Sequence, residues 1–270
     1  METRLRRSCL AVPGSSPKML TKAAGLPADQ VFLDLEDAVA PLEKSDESRE
    51  NVVRGLLEND WQARTLVVRV NSVETPWCFR DLVYVAERAG AKLDCIMIPK
   101  VDHESHVHFV HHLLTQLEAE LGLGRRIGIE AQIETAQGMV SIERIAAASD
   151  RLETLIFGPG DYAASLGVPQ LTVGAIEPDY PGDQWHYALS RIVTTARAFG
   201  LQAIDGPYSA IRDLDGFRES ARRSKLLGFD GKWALHPDQI GPCNETYTPD
   251  QEQYDRAERM LEAYRHFTEV

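Results

Sequence analysis

Short apolar runs alternate with longer amphipathic segments along the whole chain. The apolar runs lie at residues 8–12, 30–35, 65–70, 95–99, 126–134, 155–157, 202–204 and 232–235. Helical patterns lie between them, such as the segment from Pro17 to Ala24 and the stretch with Ile142, Ile145 and Ala146 on one face. About eight strand–helix repeats close a (β/α)8 barrel, so we predict the α/β class and this TIM-barrel fold.

An open, doubly wound sheet is the alternative architecture for this pattern. Such a sheet normally carries a glycine-rich GxGxxG phosphate loop after an early strand, and the sequence contains none. The repeats are evenly spaced, and no Pro-, Gly- or Ser-rich linker separates two halves. We therefore predict a single domain over residues 1–270.

Polar residues follow nearly every predicted strand at its carboxyl end. They are Asp34, Glu36, Asp37, Arg69, Asn71, Lys100, Glu134, Asp161, Asp205 and His236. In a barrel of parallel strands these ends surround one mouth, where the active sites of this fold lie. The alternative is a scatter of loop residues, because every strand must leave the core somewhere. The repeated placement favours one polar site.

Two carboxylates in neighbouring repeats are candidate metal ligands. The stretch from Arg126 to Gly167 has the pattern strand, helix, strand, with Glu134 after the first strand and Asp161 after the second. The strands of such a unit are parallel, so both carboxylates emerge on one rim, where oxygen ligands suit Mg²⁺. The alternative is structural: Glu134 starts a helix, and Asp161 is an N-cap beside a glycine-rich turn.

Arg69 is the cation that we predict inside this ring. Its guanidinium suits a carboxylate or the charge that grows on an oxygen, and the alternative is a structural ion pair with Glu36 or Asp37. These two acids are either metal ligands themselves or acceptors that orient metal-bound water. His236, at the end of the last strand, is open between a structural and a catalytic role.

A group of histidines occurs in one predicted helix. They are His103, His106, His108, His111 and His112. The apolar face of this helix is accounted for by Val107, Val110 and Leu114, so we expect the histidines to form a solvated face and not a metal cluster.

Composition narrows the class of function. The 270 residues include 29 basic and 41 acidic side chains, which give a formal net charge of −12 and a pI of about 5.2. This balance and the absence of a basic stripe argue against a nucleic-acid partner. The four cysteines show no CxxC pairing, so we expect reduced thiols, and no apolar run suits a membrane span or a signal peptide. We expect a cytoplasmic protein in which an anionic substrate needs a local basic pocket.

A series of motifs covers nearly the whole chain. In order, they read RSCLAVPGSSPKML, VFLDLEDAVAP, LVVRVNSVETP, IMIPKV, IETAQG, FGPGDYAASLG, AIDGPY and FRESARRSKLLGFDGKWALHPDQI. Together they resemble the CitE-like branch of the HpcH/HpaI aldolase and citrate lyase family, and within it the L-malyl-CoA/β-methylmalyl-CoA lyases. The resemblance implies a TIM barrel that forms homotrimers or homohexamers. It also implies Mg²⁺-dependent cleavage or formation of a carbon–carbon bond in a 3-hydroxyacyl-CoA thioester, with Mn²⁺ as an alternative metal.

The same resemblance implies roles for individual residues and names the substrates. The residues are Glu134 and Asp161 as metal ligands, Arg69, Glu36 and Asp37 in catalysis, and Arg69, Gly160 and Asp161 in substrate binding. The implied substrates are a 2-oxo acid such as glyoxylate and an acyl-CoA thioester. In this scheme the metal chelates the 2-oxo acid, and the arginine stabilises the oxygen that alternates between carbonyl and alkoxide.

Two departures from the family pattern concern the CoA site and the C-terminus. The family often has an arginine after Gly-Ser at the first strand end, where it helps to hold the CoA phosphates, and this chain has Ser16 there. Lys18 and Lys22 are the candidate replacements. Family members continue into a lid that brings an acid/base aspartate to a neighbouring subunit. We expect this chain, which ends at Val270, to lack most of that lid.

We therefore predict a lyase that interconverts malyl-CoA or β-methylmalyl-CoA with glyoxylate plus acetyl-CoA or propionyl-CoA. A citramalyl-CoA lyase or another CitE-like lyase is an alternative, because it shares these residues and differs in the substrate pocket. A non-catalytic protein that binds CoA esters or 2-oxo acids is the third interpretation. The joint presence of Arg69, Glu134 and Asp161 argues against it.

Overall fold

The eight apolar runs form the strands of a closed parallel barrel in the computed structural model, which describes residues 4–268. The strands are β1 (Ser8–Pro13), β2 (Gln30–Asp34), β3 (Thr65–Arg69), β4 (Cys95–Ile98), β5 (Gly128–Ile133), β6 (Leu152–Phe157), β7 (Gln202–Asp205) and β8 (Gly231–Ala234). Each strand pairs with the next along the chain, and β8 closes onto β1. The predicted TIM barrel is confirmed, and the doubly wound alternative is wrong.

Helices connect the strands around the outside of the barrel. They are α1 (Pro17–Ala24), α2 (Asp46–Glu58), α3 (Cys78–Ala89), α4 (Glu104–Leu121), α5 (Ala136–Val140), α6 (Ile142–Ala147), α7 (Pro159–Leu166), α8 (His186–Ala198), α9 (Leu214–Leu227), α10 (Ile240–Tyr247) and α11 (Gln251–Thr268). Short 3-10 helices lie at Pro41–Glu43 and Pro237–Gln239. The bounds of α1 are those that the sequence predicts, because Pro17 suits a first helical turn. Within residues 4–268, no helix is both long enough and apolar enough to cross a bilayer.

Alternation along each strand divides the core into two parts. Side chains that point outward pack under the helices, and those that point inward fill the barrel. The inner cluster consists of Cys9, Phe32, Val67, Cys95, Met97, Ile156, Ile204 and Trp233. The rings of Phe32 and Trp233 lie 4.4 Å apart between centroids and support the polar residues at the mouth from below.

A buried ionic cluster closes the opposite end of the barrel. Arg6 Nε contacts Glu130 Oε1 at 2.9 Å, and Arg6 Nη2 contacts Glu153 Oε2 at 2.5 Å. Strand β6 begins at Leu152, earlier than the predicted strand, and this first part is polar, with Glu153 paired to Arg6. Charged residues at this face of a TIM barrel serve stability, so the functional site is sought at the other end.

Candidate active site

Arg69, the last residue of β3, is buried at the mouth and held from two sides. Its Nε and Nη2 atoms donate to the two carboxylate oxygens of Asp34 at 2.8 and 2.6 Å, and the guanidinium lies over the rings of Phe32 and Trp233. Asp34 and Arg69 are register partners of β2 and β3, which places them side by side. Burial lowers the pKa of Arg69, but the nearby carboxylates more than offset this effect, so the pKa lies above its ordinary value. The cation is therefore permanently charged and fixed in orientation.

Glu36 and Asp37 lie on the loop that follows β2. Glu36 Oε2 is 3.2 Å from Arg69 Nη1 and accepts a hydrogen bond from the Asp37 amide at 2.9 Å. Asp37 is farther from the arginine, at 3.7 Å, and its side chain is 58% exposed. Burial raises the pKa of Glu36; Asp37 is also partly buried, but its hydrogen bond with Glu36 and the nearby cations lower its pKa. The predicted structural ion pair of Arg69 with Glu36 or Asp37 thus exists, but the main partner of Arg69 is Asp34.

Lys100 follows β4 and contacts carboxylates from three other parts of the chain. Its Nζ atom lies 2.5 Å from Glu36 Oε1, 3.6 Å from Asp37 Oδ1 and 3.4 Å from Asp161 Oδ2. Its backbone amide donates to Glu134 Oε1 at 2.8 Å. Burial lowers the pKa of Lys100, but the surrounding carboxylates raise it further than that, so the side chain is a cation.

Glu134 is buried just beyond the end of β5. Its Oε1 accepts the Lys100 amide hydrogen, and its Oε2 accepts from the side-chain amide of Gln132. Burial raises its pKa to about 8, although Lys100 and Arg69 act in the opposite direction. A Cβ on Gly158 would come within 2.3 Å of Glu134 Oε2, so the carboxylate fits here only because residue 158 is glycine. A further cation nearby would stabilise the ionised form of such a buried carboxylate.

Asp161 lies in the first turn of α7, and its side chain is 38% exposed. Gly158 holds the N-cap position of α7, and Thr135 caps α5 through its hydroxyl, so the N-cap role considered for Asp161 is wrong, although Asp161 is an acid in the first helical turn. Glu134 and Asp161 both contact Lys100, which places one buried and one open carboxylate at the same rim. This donor set fits Mg²⁺, which binds through one or two carboxylates and keeps several waters. Within residues 4–268, no three His, Cys, Asp or Glu side chains form a preformed metal cluster.

Behind the Glu36 loop lies a chain of hydrogen bonds that sequence reasoning did not find. Lys44 Nζ donates to the carbonyl of Glu36 at 2.8 Å and contacts the side-chain oxygen of Asn71. Asn71 donates to Asp81, which is also bound by Arg49. Asn71 is therefore a support of the site and not a member of the polar ring. No sequence signal marks Lys44 or Asp81, because both lie outside the strand ends.

Two further members of the predicted ring make structural contacts. Asp205 binds the buried Lys232 at 2.5 Å on the outer face of β7 and β8, where Lys232 contacts the Phe217 ring of α9. The prediction for Asp205 is wrong because Ile204, the residue before it, points into the barrel and the next side chain must point out. His236 caps the second 3-10 helix by accepting from the Asp238 amide, which is a structural role.

The histidines of α4 fall into two groups. His103, His108 and His112 are exposed, as the predicted solvated face requires, and His111 is partly exposed. His106 is buried, and its Nε2 atom lies 3.0 Å from Glu74 Oε1, so the prediction is wrong for this residue. His106 precedes the buried Val110 by four residues, so the two side chains lie on the same inner face of the helix.

The two lysines proposed for CoA are exposed on α1. Lys22 lines a cleft of about 230 Å³ between β1, α1 and the residues after β8. Apolar side chains such as Met19 and Leu235 form much of this cleft. Lys18 precedes Lys22 by four residues, so both side chains lie on the same face of the helix.

A barrel with an acidic rim and a fixed arginine at its mouth has the arrangement of a barrel enzyme. The chain belongs to the HpcH/HpaI aldolase/citrate lyase family, whose model matches residues 7–237. This is a family of carbon–carbon lyases, and the predicted membership is confirmed.

Named relatives share most of the chain. An L-malyl-CoA/β-methylmalyl-CoA lyase of Cereibacter sphaeroides is 40% identical over 96% of this chain and 84% of its own length. A malyl-CoA/β-methylmalyl-CoA/citramalyl-CoA lyase of Chloroflexus aurantiacus is 37% identical over 85% of this chain and 70% of its own. Among solved structures, CitE of Mycobacterium tuberculosis in complex with magnesium, acetoacetate and coenzyme A is 31% identical, with a TM-score of 0.75 over 96% of this chain and 87% of that one.

Proposed function

We propose that this protein cleaves or forms a 3-hydroxyacyl-CoA thioester, interconverting malyl-CoA or β-methylmalyl-CoA with glyoxylate plus acetyl-CoA or propionyl-CoA. The observation that carries the proposal is the rim on which Lys100 contacts both the buried Glu134 and the open Asp161, with Arg69 on the other side of Glu36. The names of the relatives from Cereibacter and Chloroflexus support the choice of substrates. We also propose that residues 1–270 form a single domain.

Glu134 and Asp161 would hold Mg²⁺, or Mn²⁺ in its place. The bound ion supplies a Lewis acid and a template for a 2-oxo acid. Gly160 lies beside Asp161 in the first turn of α7, where backbone N–H groups have no partner within the helix. We propose that the Gly160 amide binds the carboxylate of the 2-oxo acid, because the positive end of a helix favours an anion.

Arg69 would stabilise the negative charge that develops on one oxygen during the reaction, the oxygen that is a carbonyl in the 2-oxo acid and, once protonated, a hydroxyl in the hydroxyacyl thioester. Asp34 and the two aromatic rings hold the guanidinium before substrate arrives, so little reorganisation accompanies the reaction. Glu36 fixes the third side of the same guanidinium. Asp37, which is exposed and whose pKa is lowered by Glu36 and the nearby cations, would remain a carboxylate and accept a hydrogen bond from water at the mouth.

Lys22 and Lys18 would bind the phosphates of CoA in place of the arginine that Ser16 replaces. The apolar cleft that Lys22 borders supports this proposal, since it offers a surface for the uncharged part of the carrier beside an ammonium group. The two cations also provide the local positive charge that an anionic thioester needs on a chain of net charge −12.

The experiment that tests the function pairs glyoxylate or pyruvate with acetyl-CoA or propionyl-CoA, in Mg²⁺ or in EDTA, and identifies products by mass. We expect a Mg²⁺-dependent product from glyoxylate that is lost in Glu134→Gln and Asp161→Asn, which keep the shape of each side chain. A product that forms with pyruvate but not with glyoxylate would favour the citramalyl-CoA alternative. Binding of CoA esters without turnover, at any concentration of metal, would favour the non-catalytic alternative.

We also propose that the chain forms a homotrimer or homohexamer in the cytoplasm. Helix α11 has no buried residue, yet it carries Tyr254, Leu261 and Tyr264 along one side at helical spacing. In a symmetric assembly, a second copy of the chain covers this exposed side of α11. The cytoplasmic assignment is supported by the four free cysteines, Cys9, Cys78, Cys95 and Cys243.

Light scattering on the purified protein tests the assembly. We expect a mass of three or six chains for the wild type and a smaller mass for Leu261→Asp/Tyr264→Asp. The unfolding temperature of the barrel at high dilution should not change, because α11 buries nothing in it. An unchanged mass in the double variant would contradict the role of α11.

A further inference from the structure

Lys100 contacts every carboxylate of the proposed metal site and of the acidic pair beside it. Its amide nitrogen binds Glu134 at 2.8 Å, and its ammonium reaches Glu36, Asp37 and Asp161 at 2.5, 3.6 and 3.4 Å. One residue thus links the loops after β2, β4, β5 and β6. The resemblance described above assigns no role to it.

The backbone of Lys100 is held in an unfavourable conformation. Its φ of +50° is the single positive value at a non-glycine residue within residues 4–268. The conformation is kept because it points the Lys100 amide at Glu134, while the next amide, of Val101, binds the carbonyl of Gln132 at 3.2 Å. Strained residues of this kind persist where the surrounding contacts over-determine them, and they concentrate at functional sites.

Negative charge at the rim exceeds the positive charge that touches it. The ion-paired carboxylates are Asp34, Glu36, Asp37 and Asp161, and the cations that pair with them are Arg69 and Lys100. Arg69 is committed to Asp34 by two short hydrogen bonds. Lys100 is the cation that faces Asp161, the exposed member of the proposed metal pair, and it does so through an ion pair that is longer than its contact with Glu36.

We propose that Lys100 is a positioning residue of the metal centre, which serves as the counter-ion of Asp161 in the metal-free protein and competes with the divalent cation for that carboxylate. The inference rests on the metal site of the proposed function. The backbone amide of Lys100 keeps Glu134 oriented whether or not a metal is present, because this hydrogen bond does not depend on the charge of the lysine side chain. Its ammonium keeps the carboxylates from repelling one another before the metal arrives, and it limits the affinity of the metal once it has arrived.

The test compares three variants by titration with Mn²⁺, followed by electron paramagnetic resonance, at constant pH and ionic strength and without substrate. Lys100→Met removes the charge and keeps most of the volume. Lys100→Gly removes the whole side chain but adopts a positive φ without strain, so it folds even where the methionine variant fails. Lys100→Arg keeps the charge. We expect Mn²⁺ to bind roughly tenfold or more tightly to the methionine and glycine variants, and with little change to the arginine variant.

Thermal unfolding supplies a second readout. In EDTA the methionine variant, which keeps the strained backbone, should unfold at a lower temperature than the wild type, because the carboxylates lose their counter-ion, and saturating Mn²⁺ should reverse this loss. Lys92→Met is the matched control, since Lys92 is an exposed lysine in the turn before β4. It should alter neither the Mn²⁺ affinity nor the response to EDTA.

Each outcome decides one hypothesis. Equal or weaker Mn²⁺ binding in both uncharged variants overturns the competition that we propose for Lys100, as does a loss of stability that saturating Mn²⁺ does not reverse. Failure of the wild type to bind Mn²⁺ at all, with the same result for Glu134→Gln, overturns the metal site itself and with it the proposed function. The two failures are therefore distinguishable.

Discussion

Arg69 derives its rigidity from residues that lie far from it in the chain. Asp34 accepts hydrogen bonds from Nε and Nη2 along one edge of its guanidinium, and the centroid of the Trp233 ring, in the last strand, lies 5.2 Å from the guanidinium carbon. A lysine has one ammonium group in place of the planar fork, so it cannot bind Asp34 at two points and still present a donor to the mouth.

Replacement of Arg69 by lysine therefore tests the preorganised cation. We expect kcat to fall by about 10²- to 10³-fold in Arg69→Lys, in line with the loss of one donor to a developing oxyanion. Steady-state rates with saturating Mg²⁺ measure this change. Mn²⁺ binding should stay close to that of the wild type, because Glu134 and Asp161 are unaltered. A kcat within tenfold of the wild type would show that positive charge alone is sufficient.

At the scale of elements, the seam between β8 and β1 decides whether the barrel closes. Ser8 and Lys232 are register partners across this seam, and Gly231 precedes Lys232. A Cβ at residue 231 would lie 1.8 Å from the carbonyl oxygen of Arg6, which is backbone and cannot rotate away. The close approach of the two strands thus requires glycine at this position.

We predict that Gly231→Ala lowers the free energy of unfolding by about 1–3 kcal/mol, because the seam must open to admit the methyl group. Urea unfolding followed by circular dichroism measures the difference. Gly241→Ala, in α10, is the matched control: a Cβ there meets no atom within 4 Å. Alanine at this helical position should be neutral or stabilising by up to about 1 kcal/mol. Equal effects of the two substitutions would refute the steric explanation.

At the scale of the whole molecule, the chain keeps its thiols inside. Cys9, Cys78, Cys95 and Cys243 are all free and buried. Burial raises the pKa of Cys78 and Cys243 to about 12, and that of Cys9 and Cys95 well above the ordinary value. Since the thiolate is the reactive form, both access and ionisation protect these residues in the folded protein.

The folded protein should therefore resist thiol reagents. We expect no rapid reaction with Ellman's reagent at a pH of about 8, and reaction of all four thiols in guanidinium chloride. The absorbance of the released chromophore gives the number of thiols that react and the rate of their reaction. A thiol that reacts rapidly in the native protein would show that one of these four packing sites opens on the timescale of the assay.

Several features of the fold and the site could be predicted because they depend on residues that are close together in the sequence. Apolar runs and turn residues predict strands and their ends from a few neighbouring positions, and the end of a strand determines that Glu134 and Asp161 reach the mouth. Gln132 was also within reach, since it precedes Glu134 by two residues and so shares its face of β5. The polar start of β6 was missed because its side chains face the buried Arg6 and not an apolar core.

What the sequence by itself determined is the order of strands and helices, the barrel that this order implies, and the polar residues that emerge at its mouth. Only the tertiary structure decided which of them meet. Asp34 binds Arg69 because β2 and β3 pair in one particular register, and Asp205 leaves the ring because alternation along β7 turns it outward. Lys100 contacts four carboxylates because three other loops, those after β2, β5 and β6, converge on it. The physical reason is range: periodicity acts between neighbours in the chain, whereas ion pairs depend on distances that strand register and backbone conformation set across the whole barrel.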